Sequence, residues 1–85
     1  METLLGQIVV TDVESLFVFI GTLSSINDKT VVMQDVDVHD LRDSKTTRER
    51  YVLDSRRDGV RANRKRVYIQ RDQVVSISAL SDVLD

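Results

Sequence analysis

The chain has no cysteine, no proline and no tryptophan, and a single histidine among its 85 residues. Without cysteine there is neither a disulfide framework nor a thiolate metal site. Stability must then come from a packed core, from partner subunits, or from both. Without proline, no strand edge is protected by a residue that lacks an N–H. With only two Phe and two Tyr, the core rests on Val, Ile and Leu, a β-branched bias that favours strands. The three glycines form no phosphate-cradling loop. His39 adjoins Asp40, but it has no partner nucleophile and no metal-ligand spacing, and it reads as an exposed residue at a strand end. Asp35, Asp37 and Asp40 suggest a cation site, but Asp35 and Asp37, on one strand face, read as carboxylates that meet basic side chains instead. The chain is therefore expected to be no enzyme and to use no cofactor or metal. No apolar run approaches the roughly 20 residues that span a bilayer. The opening METLLGQIVV lacks a basic leader and a small-residue cleavage site. A cytoplasmic location without membrane contact is the expectation.

What is present is an apolar fraction of 41% and a charged fraction of 31%, within the range of globular chains. The length suits one domain, residues 1–85. The net charge of −2 hides an asymmetry. Between Arg42 and Arg71 there are eleven Lys/Arg against four acids, whereas the rest of the chain has one Lys and ten acids. Such a split either attracts an anionic partner to one surface or brings oppositely charged faces of neighbouring copies together.

Along the chain, Gln7 to Val13 and Leu16 to Ile26 are β-branched runs separated by a turn at Glu14-Ser15. Both have apolar residues at adjacent positions, as in strands with one face in a barrel and the other against something else. Gly21, inside the second run, marks a bulge or sharp bend. After the turn Asn27-Asp28-Lys29, a third strand begins at Thr30, and its far end alternates Val36 and Val38 with Asp35 and Asp37. From His39 to Arg66 the pattern dissolves into a charged excursion. It reads as a basic loop, or as a hairpin with Tyr51-Val52-Leu53 as one arm and Asp58-Gly59 as its turn. Val67 to Gln70 and Gln73 to Leu80 then read as a second hairpin around Arg71-Asp72, and no helix longer than about one turn is expected. Five short antiparallel strands in this length predict an all-β fold, a small five-stranded SH3-like barrel with a long charged excursion between strands three and four.

Two of these stretches resemble the Sm-like (LSm) family of ring-forming RNA-binding proteins. FIGTLSSINDKTVVMQDV is similar to that family's first conserved segment, with Phe19, Gly21, Leu23, Asn27-Asp28 and Val31-Val32-Met33 at the corresponding places. VYIQRDQVVSISAL is similar to the second, whose usual core is Ile-Arg-Gly followed by Asp or Asn. The pattern departs at the residues that read uracil. The Asn27–Thr30 loop is one residue shorter, lacks the stacking residue and has Thr30 where an Asn is usual. The family's Arg-Gly becomes Gln70-Arg71, and a one-residue shift in a strand moves a side chain to the opposite face.

The resemblance implies a head-to-tail cyclic homo-oligomer of five to seven subunits, in which the fourth strand of one copy pairs with the fifth of the next. It also implies single-stranded RNA as a partner. RNA-binding residues would be Asn27, Asp28, Lys29, Thr30, Gln70, Arg71 and Asp72, side by side at the ring opening, or plain tight turns if no RNA is bound. A basic arm of Arg56, Arg57, Arg61, Arg64, Lys65 and Arg66 would neutralise phosphates. Tyr51 and Tyr68 read first as barrel-packing residues and second as stacking surfaces. The alternative is an SH3-like protein-interaction module that uses the excursion as a docking arm. A third architecture, an OB-like barrel, would place a helical turn in Asp43 to Arg50.

Overall fold

The computed structural model describes residues 2–43 and 46–85. Five antiparallel strands form one sheet: β1 (Ile8–Val13), β2 (Phe17–Ile26), β3 (Thr30–Asp40), β4 (Arg64–Gln70) and β5 (Val74–Ala79). Their order across the sheet is β4-β3-β2-β1-β5. The expected second hairpin is therefore absent. β4 pairs with β3 and β5 with β1, and the turn Arg71–Gln73 carries the chain from one sheet edge to the other. Sequence proximity suggested the hairpin, but the bent sheet brings its two edges close enough for a three-residue turn to span them.

The bend originates at Gly21. The β2–β3 register slips between Ile20 and Thr22, and Asp35 opposite takes a left-handed φ of 52°. A Cβ on Gly21 would stand 3.0 Å from the Asp35 and Gln34 carbonyl oxygens and the Val36 Cα. Any side chain there would push against backbone atoms on β3, so glycine favours the close approach at the β-bulge that curls the sheet. All five strands contribute to the enclosed core: Val9, Leu23, Val31, Met33, Val36 and Ile69 are buried there, with Val74 and Ile77 packed against them.

The opposite face of β1 and β2 is also covered, which explains the adjacent apolar residues in both strands. The cover is a helix, α1 (Arg48–Asp58), and this corrects the reading of the excursion as a loop or hairpin without regular helix. Thr47 caps its start by accepting a hydrogen bond from the Arg50 amide, and Gly59, at φ 93°, ends it with its N–H on the Ser55 carbonyl. These are ordinary start and stop signals. They were obscured because α1 has only a narrow apolar stripe. Val52 and Ser55 are its buried residues, and Val52 joins Val10, Val18, Ile20 and Leu80 in a second cluster. Eleven residues are too few for a stable isolated helix, so docking on the sheet holds α1 in place. The OB-like expectation at Asp43 to Arg50 includes residues 44 and 45, which lie outside the described residues. Among the described residues no helix is long and apolar enough to cross a membrane.

Candidate functional site

The turn between β2 and β3 is built by Asn27, whose Oδ1 accepts from the amides of Lys29 and Thr30, both at 2.8 Å. This is an Asx turn, the local structure an Asn side chain favours. Thr30 pairs with Gln70 at the end of the β3–β4 ladder. Arg71 then fastens the second turn to the first. Its amide donates to the Lys29 carbonyl at 2.8 Å and its Nη1 to the Asn27 carbonyl at 2.6 Å. The segments Asn27–Thr30 and Gln70–Asp72 are thus adjacent, and Asp28, Lys29, Gln70 and Asp72 line an open cleft of about 230 Å³.

The chemistry of this cleft is mixed. Gln70 offers an amide, Asp28 and Asp72 offer acceptors, and Lys29 offers one ammonium. Such groups suit hydrogen bonding to a polar planar edge better than neutralisation of several anionic charges, since the two carboxylates offset Lys29. Asn27 and Arg71 support the cleft from within the turns, and Thr30, half-buried, begins the strand beneath it.

The six residues of the basic arm do not act as one group. Arg56, on α1, pairs with Asp85 at 2.8 Å. Arg57 ends α1, and Arg61 lies in the connection to β4 beside Asp37, Tyr51, Asp54 and Asp58. Arg64, Lys65 and Arg66 belong to β4, which begins three residues earlier than the apolar run from Val67 suggests. All six are exposed. Arg64 donates to the neighbouring Asn63 carbonyl. Among the described residues Arg57, Arg61, Arg64, Lys65 and Arg66 form no ion pair, whereas Arg42, Arg48, Arg50 and Arg56 pair with carboxylates. The fold thus divides the positive charge into a paired set, mostly around α1, and an unpaired set leading onto β4.

Within the paired set, Arg48 serves the docking of α1 on the sheet. Arg48 donates two hydrogen bonds to the Asp12 carboxylate on β1, one at 2.8 Å, and Ser76 of β5 donates to the same carboxylate at 3.1 Å. The Asp12 hydrogen bond holds the Arg48 guanidinium above its ordinary pKa. Tyr51 stacks on His39 with ring centroids 3.9 Å apart and planes 12° from parallel, and its hydroxyl donates to Asp37. Burial first, and the Asp37 hydrogen bond second, push the Tyr51 pKa well above its usual range. His39 is thus half-buried against α1 rather than exposed at a strand end, because the helix covers that part of β3. Asp37 also accepts from the Asn63 side chain at 3.2 Å, and Asp40 from Arg42. That ion pair holds Asp40 below the ordinary carboxylate pKa. Asp35, Asp37 and Asp40 accordingly sit in separate environments, and Asp37 meets a tyrosine and an amide instead of the expected base.

The two tyrosines have opposite placements. Tyr51 packs, as its reading favoured, although on a helix. Tyr68 is 67% exposed on β4, against the reading that it packs on the barrel. The signal was in the alternation of β4, where Val67 and Ile69 face inward and Arg66, Tyr68 and Gln70 outward.

Neither a family model nor a curated protein matches the chain. Among solved structures, that of an Sm protein from Pyrococcus abyssii in complex with a uridine heptamer matches with a TM-score of 0.62. The match covers 92% of this chain and 89% of that one, at 21% identity. The likeness shows the fold: the small barrel expected from the sequence is of the Sm type.

Proposed function

We propose that the chain acts as one non-catalytic domain that binds single-stranded RNA as a cyclic homo-oligomer. The observation that carries this reading is the junction of the two turns, Asn27–Thr30 and Gln70–Asp72, at the end of a strand whose three basic residues form no ion pair among the described residues. In this reading the cleft supplies hydrogen bonds to base edges, and Arg64, Lys65 and Arg66 neutralise phosphates. The Sm-type neighbour's uridine heptamer supports single-stranded RNA as the ligand class. The residues of the cleft differ enough from the family pattern that preference for uridine is not part of the proposal. Assembly is supported by the edges. β4 and β5 each pair on one side only, neither contains proline, and Val75 on β5 is 65% exposed. Open edges of this kind invite pairing with another copy.

Two measurements test this. Light scattering after size exclusion should give about 49 to about 68 kDa for five to seven copies of a 9.7 kDa chain in a closed ring. A salt-independent 9.7 kDa species would remove the ring and favour an interaction module. RNA affinity should fall steeply with salt. Replacing Arg64, Lys65 and Arg66 by Ala should flatten the logarithmic slope by about 2, from about 0.7 per phosphate on a single strand. An unchanged slope would exclude β4 as the phosphate contact.

A further inference from the structure

Tyr68 is the large exposed apolar group on β4, and no side-chain partner among the described residues accounts for it. The residue is 67% exposed, and among the described residues its side chain takes part in no hydrogen bond or ring stacking. Directly across the ladder lies Val32 of β3, and the next pair on that face is Gln34 with Arg66. Arg66 and Gln70 stand two residues to either side of Tyr68, and Arg64 four residues before it, all exposed. Alternation in a strand places these four side chains along one side. The result is a flat ring with an unpaired guanidinium to one side and the Gln70 edge of the cleft to the other. From Gln70 to Arg64 the strand extends about 20 Å, at about 3.3 Å per residue.

We infer that the outward face of β4 is a stacking platform for single-stranded nucleic acid, with Tyr68 receiving a base and Arg66 and Arg64 the phosphates beside it. The inference rests on the RNA-binding reading and extends the contact from the cleft along β4. Charge decides the occupant. A protein surface packing on Tyr68 would have to accept the two cations on the same side of the strand, Arg64 and Arg66, with no acid anywhere on β4. A polyanion with planar bases complements both the charge and the ring. Stacking on a side chain is tolerant of base identity because every base has a π-face. The platform should therefore add affinity without adding preference for one base.

The test uses the full chain with fluorescein-labelled oligouridine and oligoadenosine, measured by anisotropy at low salt. Tyr68→Ala should weaken binding of both by about fivefold to 150-fold, the range for loss of one stacked base. Tyr68→Phe should retain binding, and light scattering should show the same mass for all three proteins. A spectroscopic readout comes from the Tyr51→Phe background, in which Tyr68 is the one remaining tyrosine of a chain without tryptophan. Its emission should be quenched on adding either oligonucleotide. Wild-type binding with no loss in Tyr68→Ala and no quenching overturns the platform and leaves the cleft as the site. A change of mass in Tyr68→Ala without an intrinsic affinity change also overturns it, assigning the ring to a subunit junction. No binding by the wild type refutes the RNA reading itself.

Discussion

Replacing Tyr51 by Phe removes one oxygen from the junction between α1 and β3 and leaves the ring in place. The hydroxyl donates to the Asp37 carboxylate, and a hydrogen bond to a charged acceptor contributes about 1.5–3 kcal/mol. Two features lower the expected cost. Asp37 keeps the Asn63 amide at 3.2 Å, and the site is half-buried, so water replaces part of the lost bond. The stack on His39, with centroids 3.9 Å apart, survives in Phe. A loss of about 1–2 kcal/mol follows, toward the low end of that range. At about 4–8 °C per kcal/mol for a domain of this size, Tm should fall by about 4 to 16 °C. Tyr51→Ala should cost more, by the stacking contribution of about 0.5–1.5 kcal/mol together with lost burial. Thermal unfolding followed by circular dichroism gives the shift, and amide hydrogen exchange locates it. Protection should fall first in Arg48–Asp58, the segment whose stability depends on docking. A Tm change under about 2 °C for Tyr51→Phe would show that the hydroxyl bond contributes nothing net, and the account of how α1 is held would fail.

The same residue predicts a pH dependence. The Tyr51 pKa is raised above its ordinary 10.0, so its contribution is complete below pH 10 and is lost as pH rises from there toward the folded value. Wild type should lose stability in that alkaline range faster than Tyr51→Phe, and parallel curves would refute the assignment. Gly21→Ala should destabilise by about 1–3 kcal/mol, as overpacking does, because the new methyl meets three backbone atoms at 3.0 Å. Chemical denaturation measures this, and a neutral result would show that the bulge relaxes freely. Asp12→Asn should weaken the attachment of α1 by replacing a carboxylate that accepts from both Arg48 and Ser76. The expected loss is about 1–2 kcal/mol, reduced by partial solvent exposure. Its exchange pattern should resemble that of Tyr51→Phe, and a loss spread evenly over the sheet would count against the proposed role.

The amino-acid sequence alone determined the strands and their sense. β-branched runs separated by short turn signals identify β1, β2 and β3 because strand propensity and turn chemistry are local properties. Gly21 revealed the bend for the same reason: a glycine within an apolar strand run points to a close backbone approach. The excursion was less legible. Thr47 and Gly59 carried helix-boundary signals, yet α1 buries so little apolar surface that its pattern resembles a charged loop, and its apolar stripe becomes meaningful only against Val10, Val18 and Ile20. The tertiary structure decided the rest. It placed β4 and β5 at opposite edges, since pairing depends on the curvature of the whole sheet. It also divided the arginines into those that meet a carboxylate and those that do not. No sequence spacing encodes that Arg48 reaches Asp12 or Arg56 reaches Asp85, 36 and 29 residues away. Which basic residues remain without a carboxylate depends on such long-range pairings, so the candidate interface on β4 became visible only in the fold.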